Sequence, residues 1–389
     1  MDKIAHIKKV LTNSIDILNN KYIKRYSKIT FRDILYGLSV KTINNTSYDK
    51  VVFSLNAKNK TSISASGFKK KRDIMTSNDL ISINNTFLNL IYKNNKQRIL
   101  AVDGTRLKCL KAMHNDGFKF ASTNKTYTHC AISGLYDTDS NIVINYTHSV
   151  SLNEREAFIN QLHYVKKGDI LLFDRGYYSN DLMRTLNYHG INYIFRIKNN
   201  INVSKHLIDN NISSLLLSDK LQAVTYTLHD DADTYFLLTN LVNMSITDLQ
   251  SLYKRRWSIE THFKEAKYTT NMNNLNSTTI NSYLKDINMH NFVLMLYYYF
   301  YTIIKPLINS SIYALNHKLG VEIFINDILY ILLYNTKYNK LIKQIIAIMP
   351  KTHIHKPDRH YERVSKRTVS SWYIRPQRNR DNRRNITVI

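Results

Sequence analysis

Residues 99–103 read ILAVD, a short apolar run that ends in a carboxylate, and residues 170–174 read ILLFD, a second run of the same kind. Between them, residues 126–135 and 142–150 are rich in β-branched and aromatic side chains, as strands are. The motif NERE at 153–156 is typical of a capping box that begins a helix. The predicted order is three sequential strands, a helix and a fourth strand, which indicates an α/β fold.

The sequence on either side of the fourth strand continues this alternation. The helix that NERE begins is predicted to extend to about Val165, and the fourth strand is followed by a helix to about His189 and a strand near 193–197. Further strand-like runs in 198–243 look like a β-rich insertion. Another helix is predicted to begin near Asp248.

The chain divides into three predicted parts. Residues 1–95 alternate apolar and basic positions at helical spacing, with a predicted N-cap at Thr30 and Asp33 three residues later, and we interpret them as a helical domain. Residues 96–349 form the α/β domain, whose last part is helical and rich in tyrosine. Residues 350–389 are basic and irregular, and we interpret them as a tail.

The composition favours a polyanionic partner over a small neutral substrate. The 389 residues include 55 Lys and Arg against 29 Asp and Glu, which gives a formal net charge of +26 and a pI near 9.8. Hydrophobic residues make up 43%, which is ordinary for a globular protein and excludes disorder throughout. Nucleic acid is the first candidate partner, and an anionic membrane surface is the second.

The sequence predicts neither a membrane span nor secretion. The longest apolar run, Phe292–Ile304, is shorter than the roughly 18 to 20 residues needed to cross a bilayer, and we interpret it as a buried helix. The N-terminus lacks the pattern of a secretory signal, so we expect a cytoplasmic protein, associated with the nucleoid if bacterial. In a reducing compartment Cys109 and Cys130 are expected to be core thiols.

Two carboxylates, Asp103 and Asp174, end the two apolar runs. A core strand delivers its last side chain to the edge of the sheet, where a binding site can form. Either residue alone is equally well explained as a turn or cap residue.

The helix after Asp248 carries the most informative pattern. At about 100° per residue, Tyr253, Arg256, Glu260 and Lys267 fall within a single arc of about 60°. Arg256 and Glu260 form an i, i+4 pair, so simple helix stabilisation is one interpretation. The other is a site that binds metal and phosphate, which also explains the tyrosine and the lysine.

Phosphodiester chemistry accounts for this set of residue types. Two Mg²⁺ ions can activate the nucleophile, stabilise the leaving oxygen and neutralise the phosphate. Mg²⁺ takes few protein ligands, mostly carboxylates, so three carboxylates suffice if one bridges both ions. Arg and Lys near the ions would bind phosphate oxygens.

The chain resembles the DDE transposases of bacterial insertion sequences, and in particular the group of insertion sequence four. That group is marked by Tyr-x2-Arg-x3-Glu-x6-Lys, and all four positions and spacings match here from Tyr253 to Lys267. The segments DGT, from Asp103, and DRGYYS, from Asp174, are similar to the motifs of the group, as is LLTNL at 237–241. The resemblance covers about residues 98–300.

The resemblance implies an RNase H-like mixed sheet flanked by helices, with the β-rich insertion at about 198–243. It implies that Asp103, Asp174 and Glu260 are catalytic and hold two Mg²⁺ ions, for which Mn²⁺ can substitute. Tyr253, Arg256 and Lys267 would contact DNA phosphates.

The function expected from this resemblance is cut-and-paste transposition. The partner is double-stranded DNA, both the inverted-repeat ends of the transposon and the target, and a homodimer is expected on DNA. One alternative is a domesticated relative that binds DNA without cutting it. A second is another RNase H-like nuclease or resolvase, which the four-residue signature disfavours.

Several smaller features have competing interpretations. Residues 69–72, KKKR, either present phosphate contacts from the helical DNA-binding domain 1–95 or form a solvated basic face. We expect Trp257 to be a packing residue and His262 to lie at the surface, opposite the motif arc. The tail, with Trp372 among its arginines, either adds non-specific affinity for DNA or orders against the core.

Overall fold

The computed structural model describes residues 2–22, 27–92, 96–120, 127–149, 153–227, 234–242, 244–309, 312–313, 315–335 and 338–351. The interpretation of Trp372 and of nearly all of the basic tail therefore concerns residues outside the described part of the chain.

The described residues form one mixed sheet with helices around it. The strands are β1 (Ile99–Cys109), β2 (Lys119–Phe120), β3 (Thr128–Asp137), β4 (Ile142–Ser149), β5 (Ile170–Phe173), β6 (Asn192–Ile197), β7 (Ser214–Ser218), β8 (Leu221–Thr227) and β9 (Thr234–Thr239). The helices are α1 (Asp2–Tyr22), α2 (Phe31–Asn44), α3 (Tyr48–Asn59), α4 (Ala65–Ile74), α5 (Ser77–Ile91), α6 (Glu154–Ile159), α7 (Asn180–Tyr188), α8 (Asn202–Asp209), α9 (Ile246–Lys254), α10 (Trp257–Lys264), α11 (Ile280–Ile304), α12 (His317–Ile323), α13 (Tyr330–Tyr334) and α14 (Tyr338–Ile348).

The order of the strands confirms the predicted fold class. Strands β4, β3 and β1 pair antiparallel in that order, and β1, β5 and β6 then pair parallel, as in an RNase H-like sheet. The strands of the insertion extend the same sheet, because β9 pairs antiparallel with β6 and is followed by β8 and β7. The core strand β5 is buried at every position, which explains its unbroken apolar sequence.

Two predicted helices differ in detail from those observed. Asn153 caps α6 by accepting from the backbone N–H groups of Arg155 and Glu156, as expected, but α6 ends at Ile159, and a short 3₁₀ turn precedes Val165. The single helix predicted from Asp248 is interrupted by a turn between α9 and α10, and it ends in a π-helical segment, Glu265–Thr269.

The predicted buried helix over residues 292–304 is confirmed as the second half of α11. This helix packs against α5, α2 and α1 on one side and against β4 on the other, so the helices share a core with the sheet. Within the described residues, no helix is long and apolar enough to cross a membrane. Cys109 and Cys130 are confirmed as buried free thiols.

Local signals in the N-terminal helices are mostly confirmed. Thr30 and Asp33 form the predicted capping box of α2. Arg72 differs from both interpretations of KKKR, because it is only 2% exposed and donates to Asp73 and Ser282. It also lies 3.6 Å from Asp286, which is fully buried. The basic face of α4 therefore excludes Arg72.

Candidate active site

The register of the parallel strands places two predicted carboxylates side by side. Val102 on β1 pairs with Phe173 on β5, so Asp103 and Asp174 each follow a matched position. Neighbouring strands lie about 4.8 Å apart, so the two side chains start from adjacent points at one edge of the sheet. This edge is the carboxyl end of the parallel strands, where α/β sheets bind ligands.

Arg256 joins the first of these acids to the third predicted carboxylate. Its Nη2 donates to Glu260 Oε1 at 2.6 Å, and its Nη1 lies 3.8 Å from Asp103 Oδ2. The guanidinium side chain is only 4% exposed, whereas the Asp103 and Glu260 side chains are 20% and 28% exposed. The i, i+4 pair expected from the sequence is thus present, and it also reaches Asp103 on the sheet.

The pKa of the Asp103 carboxyl is raised to about 7, with burial as the largest cause. The Arg256 charge and a 2.8 Å hydrogen bond from the Gly104 N–H oppose this effect, while the charges of Glu260 and Glu154 raise the pKa further. A carboxyl with such a pKa binds a proton readily and, for the same electrostatic reason, gains from a nearby cation.

The remaining residues of the signature surround these acids. Tyr253 on α9 is 1% exposed, and its ring centroid lies 5.8 Å from the Arg256 guanidinium. Burial raises the pKa of its hydroxyl, and the nearby Asp174 charge raises it further. Lys267 is half-buried in the π-helical segment, where burial lowers the pKa of its ammonium group and the Asp103 charge opposes that shift. The structure thus brings all six predicted residues to one region.

The donor set fits a hard divalent cation, because Mg²⁺ and Mn²⁺ prefer carboxylate oxygens. The Tyr253 hydroxyl and the Arg256 guanidinium are buried beside each other, so the region contains polar groups close to the acids. In the part of the chain that the structure describes, no three His, Cys, Asp or Glu side chains are gathered closely enough to hold an ion. An ion bound by Asp103 and Glu260 would replace Arg256 as their shared partner.

Two residues of this region were missed in the sequence. Gly104 borders Glu154 so closely that a Cβ built on the glycine would lie 2.4 Å from the Glu154 Cδ. Tyr177 is buried, and the charges of Glu154 and Asp103 contribute to raising the pKa of its hydroxyl, after burial itself. Glu154 stands in the capping motif and Tyr177 in DRGYYS, so their motifs were noticed but not these interactions.

Two expectations about the helix surface were wrong. His262 is buried and lies 2.8 Å from the Tyr146 hydroxyl, because α10 is covered on its far side as well. Burial lowers the pKa of this imidazole to about 3. Trp257 is 45% exposed, and its ring lies 5.2 Å from the Arg256 guanidinium, so it is not an interior packing residue.

Comparisons with known proteins find similarity to transposases. A family model described as "Transposase DDE domain" matches residues 94–296. A cryo-EM structure of a piggyBac transposase synaptic complex with hairpin DNA aligns with 95% of this chain and 86% of that chain, at 12% identity and a TM-score of 0.47. No curated protein matches the sequence.

Proposed function

Because the chain belongs to the transposase DDE domain family, we propose that it cleaves DNA at transposon ends and transfers the ends into target DNA, in a cut-and-paste manner. The observation that carries this proposal is the placement of Asp103 and Asp174 after matched positions on β1 and β5, with Glu260 linked to Asp103 through Arg256. The signature from Tyr253 to Lys267 further favours the group of insertion sequence four.

In this proposal Asp103, Asp174 and Glu260 would hold one or two Mg²⁺ ions, with Mn²⁺ as a substitute. Bound ions would supply charge neutralisation at the phosphate and a more acidic attacking water or hydroxyl. The protein's contribution is to hold acidic oxygens at the edge of a rigid sheet. Only a small part of each side chain is exposed, so DNA bound there would exclude much of the remaining water.

Arg256, Tyr253 and Lys267 are proposed to bind DNA phosphates. Arg256 is held by a 2.6 Å hydrogen bond to Glu260 and lies 3.8 Å from Asp103, so its planar donors are already oriented when a phosphate arrives. Lys267 lies near Asp103, where a point charge can stabilise the negative phosphate. The helical region 1–95 is proposed to add further contacts with double-stranded DNA, and two copies of the chain are proposed to assemble on the transposon ends.

The test is strand cleavage of a duplex that carries the terminal repeats of the element. Asp103→Ala, Asp174→Ala and Glu260→Gln should each abolish cleavage in Mg²⁺ while binding to the same duplex is retained. Asp181→Ala is the matched control, since its side chain is 94% exposed on α7. Binding without cleavage by the wild-type protein would instead support a domesticated DNA-binding protein.

A further inference from the structure

Lys267, the last residue of the signature, lies in an irregular part of its helix. In the π-helical segment Glu265–Thr269, the backbone N–H of Thr270 donates to the carbonyl of Glu265 at 3.1 Å, five residues back instead of four. Single π-helical turns within α-helices are rare, and they are frequent at functional sites. Because the ordinary α-helical turn is preferred, contacts from outside the segment are needed to maintain this one.

The beginning of the π-helical segment is held by the carboxylate of Glu265. One carboxylate oxygen accepts a hydrogen bond from the Tyr298 hydroxyl on α11. The other lies 3.7 Å from Nδ1 of His317 on α12. The Tyr298 side chain is buried and that of Glu265 is partly buried, so water competes little for the hydrogen bond between them.

The end of the segment contacts the same long helix. Nε2 of His290, on α11, lies 2.8 Å from Oγ1 of Thr270 and 3.1 Å from its carbonyl oxygen. Both residues are buried. His290 and Tyr298 are eight residues apart on α11, or about 12 Å along its axis, so one helix contacts both ends of the π-helical segment.

Lys267 lies between these two contacts and near the first acid of the candidate site. Burial lowers the pKa of its ammonium group, and the charge of Asp103 on β1 opposes this shift, so the two side chains are close enough to interact. Among the residues that the structure describes, no acid forms an ion pair with Lys267. Its charge can therefore bind a phosphate without first breaking an ion pair of this kind.

We propose that Tyr298 and Glu265 are positioning residues, which hold the π-helical turn so that the Lys267 ammonium group meets a DNA phosphate beside Asp103. This inference rests on the proposed function, because it assumes that Lys267 binds phosphate. Without the hydrogen bond between Tyr298 and Glu265, the segment would return to the hydrogen bonding of an ordinary α-helix. Lys267 would then rotate about the helix axis, away from its place beside Asp103.

The experiment measures binding of the full-length protein to a duplex that carries the terminal repeats, without divalent metal and over a range of salt concentrations. Lys267→Ala should weaken binding and reduce the log-log slope of affinity against salt by about 0.9, the value for one phosphate contact. Tyr298→Phe leaves the net charge unchanged, yet it should weaken binding and flatten the slope towards that of Lys267→Ala. The double variant should bind no more weakly than Lys267→Ala alone, since both changes remove the same contact.

Tyr301→Phe is the matched control for the loss of a hydroxyl from α11. Tyr301 lies near enough to Glu265 to feel its charge, but no hydrogen bond joins the two in the described part of the chain. This variant should bind the duplex with the affinity and the slope of the wild type.

Wild-type affinity and slope in Tyr298→Phe would overturn the positioning role, and so would losses that add in the double variant. If Lys267→Ala itself binds as the wild type does, the phosphate contact assigned to Lys267 is wrong and the inference fails with it. A wild-type protein that does not bind the duplex would contradict the proposed function as a whole. Thermal unfolding checks that each variant is folded. If Tyr298→Phe does not fold, Thr270→Val removes the hydroxyl at the other end of the segment, and unchanged binding in that variant overturns the proposal.

Discussion

The two ends of the parallel pair β1 and β5 carry opposite arrangements of charge. At the beginning of the strands, Arg98 and Asp169 occupy the positions just before β1 and β5, and the Arg98 Nε and Nη2 donate to the Asp169 carboxylate at 3.2 and 2.5 Å. Both side chains are less than 10% exposed. At the other end, the positions just after the matched pair hold Asp103 and Asp174, two residues of the same charge.

This difference shows that the two ends of one strand pair, β1 and β5, can have different tasks. The Asp169 carboxylate also accepts from the N–H groups of Arg98 and Lys166, so the beginning of the pair is satisfied by the protein alone. At the other end, burial raises the pKa of the Asp103 carboxyl, and the charges of Glu260 and Glu154 raise it further. Ionised groups in such a cluster require a cation from outside or from Arg256. The first arrangement stabilises the fold, and the second leaves acids that are not neutralised in this way.

The largest expected effect is on chemistry at the acidic end. Asp174→Asn keeps the shape of the side chain but removes its charge, and we expect cleavage of end DNA to fall by at least about 100- to 1000-fold. The free energy of unfolding should change little or increase, because a repulsive charge is removed. Single-turnover cleavage and chemical denaturation measure the two quantities on the same preparation. A large fall in the free energy of unfolding of Asp174→Asn would show that this end also stabilises the fold, which contradicts the difference drawn between the two ends.

The next effect concerns the stability given by the Arg98–Asp169 ion pair at the beginning of β1 and β5. Asp169→Ala leaves Arg98 buried without its partner and should lower the free energy of unfolding by about 3–5 kcal/mol. Asp139→Ala, which breaks the ion pair with Arg255 at the surface, is the control and should cost about 0–1 kcal/mol. Urea denaturation gives both values. Equal losses in the two variants would mean that the buried ion pair is not what stabilises this end.

Acid should lower the stability of the fold through His290 on α11, in the helical layer, rather than through either end of the β1–β5 pair. Burial lowers the pKa of His290 to about 4, from an ordinary value of 6.5, so the unfolded chain binds a proton that the folded chain does not between these values. Stability should therefore decrease as the pH falls from 6.5 towards 4, by up to about 1.4 kcal/mol per pH unit from this group. His290→Gln should reduce this slope, and the exposed His189→Gln should not. Urea denaturation at several pH values tests it, and identical slopes would exclude His290.

The smallest effect on stability is expected at Gly104. The atoms that an added methyl group would meet are the far end of the flexible Glu154 side chain, so Gly104→Ala should cost less than about 1 kcal/mol. The Glu154 side chain should move aside to make room for the methyl group. Urea denaturation measures the loss, and one well above about 1 kcal/mol would show that Glu154 is held rigidly against the strand.

The features predicted best from the sequence are those set by short periodic patterns. The apolar runs at 99–103 and 170–174 predicted β1 and β5, because buried parallel strands read as unbroken apolar sequence. The expectation that Asp103 is the last residue of its strand was wrong, since β1 continues to Cys109 by pairing with β3. The arc from Tyr253 to Lys267 predicted a shared region, although the chain turns between α9 and α10. Helical spacing still predicted which residues share a face, because the turn between α9 and α10 is short.

The features missed depend on contacts between distant segments. His262 was assigned to the surface because the far side of a single amphipathic helix usually faces water, but α11 and β4 cover that side of α10, with Tyr298 and Tyr146 near the imidazole. Both interpretations of KKKR exposed Arg72, whereas it is buried beside Asp286, about 200 positions along the chain. The contact of Glu154 with Gly104 likewise spans three strands, so no spacing rule could indicate it.

The pairing of β1 with β5 also has a consequence for the order in which the chain folds. Arg98 and Asp169, which begin this pair, are 71 positions apart, whereas β3 and β4 are joined by a short turn. Closing the longer loop costs more conformational entropy, so local hairpins are favoured early and the parallel pair late. Asp103 and Asp174 come together only at that late step, so a nascent chain that has not yet emerged as far as β5 lacks the pair of acids on which the candidate site is built.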